Sequence, residues 1–464
     1  MPRVRFLVPL LAAVVTYAPA PAQTYLDAIG YTALQARLGV NTPNGAGVYV
    51  AQVEANNSST GTAYAPDPSV AAGRPGFTLT LRSGASDISS HATGVAGVFY
   101  GNGGMAAGVT QVDSYLADDW LQDGFLGTGS TLPPITNIPK VSNHSYIGTG
   151  STPDQTEDIL RRVDYLVDRG GQIVVVGVGA NVPGPVADLL ASGYNSIAVG
   201  MTGGGNGSGL TTVAGAGRVK PDLVAPQGVV SNATPVVAAA AILLVQTAGS
   251  DPLAAKPQTI KAVLLAGATK AEFATAAGGP WTHTPTQPLD LRFGAGQVNI
   301  DNGYKILTAG RQAANDTATV ASTGWDFNSV SSTGTTARNY FFDLPAEATG
   351  HSLSAALTWH RVVDDSLVAA PLTNLNLKLD NVTTGFTLGT VIDQSISTVD
   401  NVQHLWEANG LSAGRYAWHV EVSGTGSADF ALAWQANFVP VPEPTVILAA
   451  ATVVLAVSRR LRNR

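Results

Sequence analysis

Between residues 45 and 305, short apolar runs alternate with segments whose apolar residues recur at helical spacing. The apolar runs are rich in β-branched residues and predict strands at 47–53, 109–117, 140–147, 172–178 and 195–200. The helical spacing predicts helices at 154–169, 231–247 and 256–266. Alternating strands and helices are typical of βαβ units, so this region is predicted to be an α/β fold with a parallel sheet flanked by helices.

The pattern changes after about residue 310. Residues 311–338 are rich in Ser, Thr, Ala and Asn, and no later segment up to 438 has a convincing helical period. Short alternating runs, separated by Gly, Asp and Asn, occupy 352–359, 375–379, 415–422 and 428–434. This spacing favours a smaller antiparallel β-sandwich. We therefore expect two folded domains, at 23–308 and 309–438.

The N-terminus has the order of features found in export signals. Arg3 and Arg5 precede an apolar stretch at 6–15, and the small residues of 20–22 fit a cleavage site. This order predicts a secretory signal peptide at 1–22. The mature protein is therefore expected to be exported.

The C-terminal segment, 439–464, has three features in a fixed order. Pro442-Glu443-Pro444 precedes an apolar run at 445–457, and an Arg-rich end follows. The run is shorter than the roughly 20 residues that cross a bilayer comfortably, and basic residues hold a segment on the cytoplasmic side. The tail resembles the PEP-CTERM sorting signal of Gram-negative bacteria. The resemblance implies transient inner-membrane anchoring, removal by an exosortase-type enzyme, and a final location at the cell surface or in the extracellular matrix.

The composition narrows the classes of protein. The chain of 464 residues is 45% hydrophobic and only 12% charged, with a formal net charge of −7. These values exclude a disordered polyelectrolyte. The acidic balance argues against nucleic acid as a partner, because nucleic-acid binders need clustered Lys and Arg. The absence of cysteine excludes disulfides, thiolate metal sites and cysteine nucleophiles.

Three separate segments contain residues suited to nucleophilic catalysis. The strand predicted at 47–53 is followed directly by a lone carboxylate, Glu54. His91 opens a run of small residues, as if a helix beginning there packs closely against a neighbour. Ser231 begins an Ala-rich helix, whose positive end would stabilise a developing negative charge.

Taken together, these segments resemble the subtilases, the subtilisin-like serine peptidases. Residues 91–97 (HATGVAG) are similar to the histidine motif of that family, and residues 231–235 (SNATP) to its serine motif. Residues 220–226 (KPDLVAP) resemble the strand that leads to the serine, and 47–54 (GVYVAQVE) the first catalytic strand. The order acid, base, nucleophile is also that of subtilisin. The resemblance covers about residues 30–305 and implies a subtilisin-like parallel sheet.

The resemblance also implies a mechanism. The chain would hydrolyse peptide bonds of a polypeptide substrate through an acyl-enzyme on Ser231, with His91 as general base and Glu54 as the acid that orients it. Asn181 matches the asparagine that donates a hydrogen bond to the oxyanion. The backbone groups that bind an extended substrate are expected at Ser145 and Gly148.

The sequence departs from the family at several positions. Glu54 stands where aspartate is usual, so its carboxylate lies one methylene farther from the backbone. The other departures are Val229, Val230, Gly94 and Ala180. Two hypotheses stay open: an exported serine endopeptidase, and a catalytically degenerate subtilase fold that acts as a cell-surface or matrix binding protein.

Other acidic residues are candidates for a site. Asp87, close in sequence to His91, is a rival carboxylate and is interpreted as a turn residue. Subtilases often bind structural calcium, and an acidic neighbourhood contains Asp113, Asp118 and Asp119. Loop aspartates are usually solvated, so we predict no metal site and no cofactor, with structural calcium left open as the alternative.

Overall fold

The computed structural model describes residues 24–59, 61–276, 279–345, 348–408 and 411–440. The predicted signal peptide at 1–22 and residues 441–464 of the tail predicted at 439–464 lie outside the described residues. Residues 24–310, here called the α/β region, contain a parallel sheet, and residues 311–440, here called the sandwich, contain two further sheets. The predicted α/β class, a parallel sheet flanked by helices and followed by a smaller antiparallel β-sandwich, is confirmed. The predicted domain boundaries stay a prediction.

A seven-stranded sheet forms the centre of the α/β region. The described strands of this region are β1 (Tyr49–Glu54), β2 (Ala63–Ala65), β3 (Thr78–Leu81), β4 (Asp87–Ile88), β5 (Gln111–Leu116), β6 (Val141–His144), β7 (Ile173–Gly177), β8 (Ile197–Met201), β9 (Gly209–Leu210), β10 (Val219–Lys220) and β11 (Leu223–Ala225). Seven of them pair in parallel in the order β11-β8-β7-β6-β1-β5-β3. β6, β7 and β8 are buried along their whole length, as strands covered on both faces should be.

Helices cover the sheet, and one of them runs through the core. The described α-helices are α1 (Tyr25–Ala28), α2 (Tyr31–Leu38), α3 (Ser90–Phe99), α4 (Ala117–Leu121), α5 (Pro153–Tyr165), α6 (Val230–Ala248), α7 (Pro257–Gly267) and α8 (Ile300–Thr308). α6 packs on β6, β7 and β8 and against α3 and α8. By length and composition α6 could cross a membrane, but most of it is buried inside the protein. Its apolar residues are therefore explained by its place in the core.

The C-terminal sheets enclose a second hydrophobic core. Their described strands are β12 (Asn315–Thr319), β13 (Thr323–Ser331), β14 (Ala337–Leu344), β15 (Ala348–Trp359), β16 (Asn374–Thr384), β17 (Thr387–Ser395), β18 (Val402–Glu407), β19 (Gly414–Ser423) and β20 (Ser427–Pro440). One sheet has the order β12-β14-β19-β16-β17 and the other β13-β20-β15-β18. Side chains of both sheets form one core, among them Tyr340 and Trp418 of the first sheet and Leu357 of the second. The strands pair antiparallel except for β12 and β14, a parallel pair at one edge.

The four-stranded sheet of the sandwich is buried on both faces. Along β20, Phe430, Leu432 and Trp434 belong to the sandwich core, whereas Ala431 and Ala433 belong to the core of the α/β region. This alternation follows the two-residue period of a strand. The small alanines allow α7, which is buried along its whole length, to pack on β15 and β20. The core of the α/β region therefore extends onto the outer face of this sheet.

Several predicted elements have different bounds in the structure, for example β6, which ends at His144 rather than at residue 147. In two others the last residues adopt another type of secondary structure. The strand predicted at 109–117 stops before Ala117, because α4 begins there with two acidic residues in its first turn, where they favour a helix start. The helix predicted at 154–169 is α-helical only to Tyr165 and continues as the π-helical turn Leu166–Gly170. Periodicity locates both elements but does not resolve these ends.

Candidate active site

The carboxyl ends of the central strands and the first turns of two helices meet at one edge of the sheet. Glu54 is the last residue of β1, and Ser145 directly follows β6. His91 lies in the first turn of α3, and Ser231 in the first turn of α6. His91, Ser145, Asn181 and Ser231 line one cavity of about 170 Å³, and Glu54 contacts His91. Residues far apart in the sequence thus meet where parallel sheets usually bind ligands.

Glu54 and His91 form a direct pair. Nδ1 of His91 lies 2.9 Å from Oε2 of Glu54. Glu54 is fully buried, whereas 41% of the His91 side chain is exposed. No described residue bonds to Nε2 of His91, so the ring is held on one side and open on the other. The longer side chain of Glu54 therefore reaches the imidazole from the end of β1 without an intervening group.

The surroundings of this pair set the direction of its pKa shifts. Burial raises the pKa of Glu54, and hydrogen bonds from His91 and Gln52 oppose the rise. The pKa of His91 is raised above its ordinary value, chiefly by the hydrogen bond to Glu54. An imidazole held in this way keeps a proton on Nδ1, towards the carboxylate, and can offer Nε2 as a base.

Ser231 lies where a helix has unpaired donors. It is the second residue of α6, and the first N–H groups of a helix have no intrahelical acceptor. Within the described ranges, the N–H of Ser231 has no acceptor, and no hydrogen bond joins its Oγ to Nε2 of His91. Asn181 accepts the N–H of Val230 through Oδ1 at 2.7 Å, which leaves its Nδ2 group as a donor. The cavity is thus bordered by two free donors and the positive end of α6.

A glycine on β7 accommodates Val230, one of the departures from the family motif. Val230 is buried, and a Cβ placed on Gly177 would lie 3.0 Å from Cγ1 of Val230 and 3.4 Å from Oγ1 of Thr234. Thr234 also donates its hydroxyl to the carbonyl of Val230 at 2.8 Å. The missing side chain at Gly177 therefore makes room for the isopropyl group at the start of α6.

Ser145 and Gly148, the predicted substrate-binding residues, already have partners inside the chain. Oγ of Ser145 donates to the carbonyl of Ser231 at 3.0 Å and accepts from Nδ2 of Asn143 at 3.0 Å. The carbonyl of Gly148 accepts the N–H of Leu189 at 3.0 Å. Ser145 therefore supports the start of α6, a contact that the sequence does not predict.

A second cavity, of about 450 Å³, adjoins the first. The two share Ile147, Gly179 and Ala180. The rest of its wall is mostly glycine, proline, alanine and valine, and the carboxylate of Asp188 on that wall accepts the hydroxyl of Thr149 at 3.0 Å. A continuous groove with a mainly apolar end thus begins at Ser231.

Two buried polar residues behind Glu54 were not predicted. Nε2 of Gln52 donates to Oε1 of Glu54 at 2.9 Å, and the hydroxyl of Tyr100 donates to Oε1 of Gln52 at 2.8 Å. Gln52 interrupts an apolar strand two residues before Glu54, and this interruption is the signal that could have identified it. Tyr100 carries no such signal, because its contact depends on how α3 packs.

The remaining acidic candidates have other roles. Asp87, interpreted from the sequence as a turn residue, lies instead in β4, which pairs in parallel with β2. Asp113 accepts hydrogen bonds from Nε of Arg82 at 2.7 Å and from the hydroxyl of Tyr49. Within the described ranges, no group of three His, Asp or Glu residues is placed to hold a metal ion. Whether the chain binds calcium or another metal stays a prediction.

No protein-family model matches the chain, and no curated protein does. Solved structures that are similar to it include the prenylagaramide maturation protease PagA, with a TM-score of 0.42, 17% identity, and coverage of 60% of this chain and 98% of that one. Another is a protease from Pseudoalteromonas arctica, with a TM-score of 0.36, 18% identity, and coverage of 59% and 94%. A third is a cold-adapted subtilisin-like serine proteinase, with a TM-score of 0.34, 18% identity, and coverage of 51% and 88%. At these values the likeness carries no inference about activity.

Proposed function

We propose that the protein is an exported serine endopeptidase that hydrolyses peptide bonds through an acyl-enzyme on Ser231. The observation that supports this most is the placement of the Glu54–His91 pair and of Ser231 around one cavity. A buried carboxylate is costly unless it is paired. Here the partner is a half-exposed imidazole whose second nitrogen is open, next to a serine at a helix start.

The proposed reaction gives each of these groups a distinct role. Oγ of Ser231 attacks the carbonyl carbon of the peptide while Nε2 of His91 takes the hydroxyl proton. Glu54 holds the ring and stabilises the imidazolium. The N–H of Ser231 and Nδ2 of Asn181 donate hydrogen bonds to the negatively charged substrate oxygen. His91 gives its proton to the leaving amine, and a water molecule deprotonated by the same nitrogen then hydrolyses the acyl ester.

The groove supports a polypeptide substrate with an apolar side chain near the cleaved bond. The second cavity, next to the one that Ser231 lines, is walled by Ile147, Val182, Val186, two prolines and several glycines. An apolar wall favours an apolar substrate side chain, because both lose contact with water. Peptides with a large apolar residue before the cleaved bond should therefore be preferred to peptides with a charged one there.

We further propose that the protein reaches the cell surface or extracellular matrix of a Gram-negative bacterium. The support is the sequence of the two ends: a secretory signal at 1–22 and the tripartite tail at 439–464. The tail would anchor the chain transiently in the inner membrane until an exosortase-type enzyme removes it. Expression of a variant in which Pro442-Glu443-Pro444 is replaced should leave the tail attached, which the mass of the purified protein would reveal.

The activity is tested by labelling purified residues 23–440 with a fluorophosphonate, which reacts with activated serines. We expect stoichiometric labelling that is lost in Ser231→Ala. Ser208→Ala, in a loop outside the residues that line the cavity, is the matched control and should label normally. A folded wild-type chain that is not labelled would contradict the proposal.

A binding protein with a degenerate catalytic site is the alternative. It is favoured by one observation: in the described structure, no hydrogen bond joins Oγ of Ser231 to Nε2 of His91. Catalytic hydrogen bonds often tighten only when substrate is bound, so the open contact is compatible with both functions. Fluorophosphonate labelling distinguishes them, because a degenerate site leaves Ser231 unreactive.

A further inference from the structure

We propose that Gln52 is a positioning residue which, held in turn by Tyr100, fixes the carboxylate of Glu54 against His91. The inference rests on the proposed function, since it concerns the orientation of the general base. Gln52 and Glu54 are two residues apart on β1, so their side chains leave the same face of the strand. Gln52, Glu54 and Tyr100 are all fully buried.

Every hydrogen-bonding group of the Gln52 amide has a partner. Nε2 donates to Oε1 of Glu54 at 2.9 Å and to the carbonyl of Ala92 at 2.8 Å. Oε1 accepts the hydroxyl of Tyr100 at 2.8 Å. A flipped amide would place its oxygen against a carboxylate and a carbonyl, both of which are acceptors. The amide therefore has a single satisfied orientation, with its donors towards Glu54.

These bonds join β1 to both ends of the helix that carries His91. Ala92 directly follows His91 in the first turn of α3, and Tyr100 is the residue that caps the C-terminal end of α3. Gln52 thus connects the strand that supplies the acid to the helix that supplies the base. A relative movement that opened the 2.9 Å contact between Glu54 and His91 would also have to break these bonds.

A glutamate carboxylate needs fixing by a hydrogen bond more than an aspartate carboxylate does. Its additional methylene adds a rotatable bond, and with it freedom for the carboxylate to leave the ring. With Oε1 bonded to Gln52 and Oε2 to His91, both oxygens of Glu54 are fixed. The bond from Gln52 also favours the ionised carboxylate, the form that stabilises a protonated His91.

A purely structural role for Gln52 is the competing explanation. Burying a glutamine in an otherwise apolar strand costs folding free energy unless its amide forms hydrogen bonds. The three bonds of Gln52 could therefore serve folding alone. If those bonds serve only folding, their loss should lower stability and leave the pH dependence of the folded enzyme unchanged. If they position Glu54, their loss should alter the properties of His91. The two explanations therefore differ in a measurable way.

The test compares three variants of the chain from residue 23 to 440, which contains every described element. Gln52→Leu removes all three hydrogen bonds, and Tyr100→Phe removes only the bond that orients the amide. Tyr31→Phe is the control, because its buried hydroxyl lies in the same hydrophobic core but donates to the carbonyl of Met105 at 3.4 Å. The measurements are kcat and KM for a peptide, the pH profile of fluorophosphonate labelling, and the proton NMR signal of Nδ1–H of His91.

We expect Gln52→Leu to lower kcat by about tenfold or more with little change in KM, since a hydrogen bond to a charged group is lost. The acidic limb of the labelling profile should move to lower pH, because His91 loses the fixed partner that raises its pKa. The Nδ1–H signal should shift or broaden. Tyr100→Phe should cause the same changes to a smaller extent, and Tyr31→Phe should cause none.

A folded Gln52→Leu variant with the kcat, acidic limb and NMR signal of the wild type would overturn the proposal. If Gln52→Leu does not fold, Tyr100→Phe decides, and a result equal to that of Tyr31→Phe overturns it. Failure of the proposed function is distinguishable. A wild-type chain that is not labelled contradicts the peptidase, whereas the NMR signal of His91 still reports whether Gln52 holds the pair.

Discussion

The two sides of the candidate active-site cleft differ in how many of their polar groups are already paired. On the acid–base side, Glu54 is buried, and each of its oxygens has a hydrogen-bond partner at 2.9 Å. On the nucleophile side, the N–H of Ser231 and the Nδ2 group of Asn181 have no acceptor among the described residues. The acid–base side, here called the fixed side, is therefore held by hydrogen bonds within the chain. The nucleophile side, here called the open side, presents free donors.

This difference follows from when each charge exists. The carboxylate of Glu54 is needed throughout the proposed reaction, so its partners can be in place in the resting protein. The negative charge on the substrate oxygen exists only near the transition state, and donors reserved for it stay unpaired until then. The same comparison predicts that damage to the two sides has different kinetic consequences.

The largest effect is expected on the fixed side, from Glu54→Gln. The amide would present a donor to Nδ1 of His91 and so favour the tautomer that carries its proton on Nε2, where the base is needed. Replacing the acid of such a triad by its amide lowers kcat by about 10⁴-fold. Steady-state kinetics of the folded variant would measure this loss. A variant that keeps wild-type kcat would show that another group orients His91.

A smaller loss is expected on the open side, from Asn181→Ala. Removal of one oxyanion donor lowers kcat by roughly 100- to 1000-fold, because the donor acts mainly in the transition state. KM should change little for the same reason, and the NMR signal of Nδ1–H of His91 should stay where it is. An equal loss in kcat and affinity would indicate that Asn181 binds substrate in the ground state, which would contradict the comparison.

Sequence patterns predict the fold best where strands are buried on both faces. The apolar run at 172–178 contains β7, whose residues are all buried. β3 and β12 were missed, because they are mostly exposed edge strands and lack an apolar run. The contact of α7 with the sandwich was missed for another reason. The strand residues that α7 packs against include alanines, which give little hydrophobic signal in the sequence although they allow close packing.

For the candidate site, sequence identifies the groups that motifs mark. Glu54, His91 and Ser231 stand in recognisable contexts, and the structure brings them to one edge of the sheet. The hydrogen bonds from Tyr100 to Gln52 and from Ser145 to the carbonyl of Ser231 join residues that are distant in sequence. Such contacts depend on how strands and helices pack, so a single sequence does not reveal them.

A moderate loss of stability is expected from Gly177→Ala, which changes the residue that packs against the start of α6 on the open side. The added Cβ would lie 3.0 Å from Cγ1 of Val230, tighter than ordinary packing, and would displace the start of α6. Such overpacking costs about 1–3 kcal/mol of unfolding free energy, measurable by denaturant unfolding. The double variant Gly177→Ala, Val230→Ala should regain part of this loss, because the clashing methyl groups are gone. If the losses of the single variants Gly177→Ala and Val230→Ala simply add in the double variant, the contact between the two residues does not position α6.

The smallest expected effect, a shift of pH dependence, distinguishes the two sides most directly. The rate of fluorophosphonate labelling should fall as pH decreases through the pKa of His91, because a protonated Nε2 cannot act as a base. The hydrogen bond to Glu54 raises that pKa above the ordinary value of about 6.5 for histidine. In Glu54→Gln the residual labelling should therefore persist to lower pH, whereas in Asn181→Ala the acidic limb should stay at the wild-type pH. If the wild type, Glu54→Gln and Asn181→Ala all lose labelling at the same pH, then Glu54 does not set the pKa of His91. The hydrogen bond between Glu54 and His91 would then not be what orders the acid–base side of the cleft.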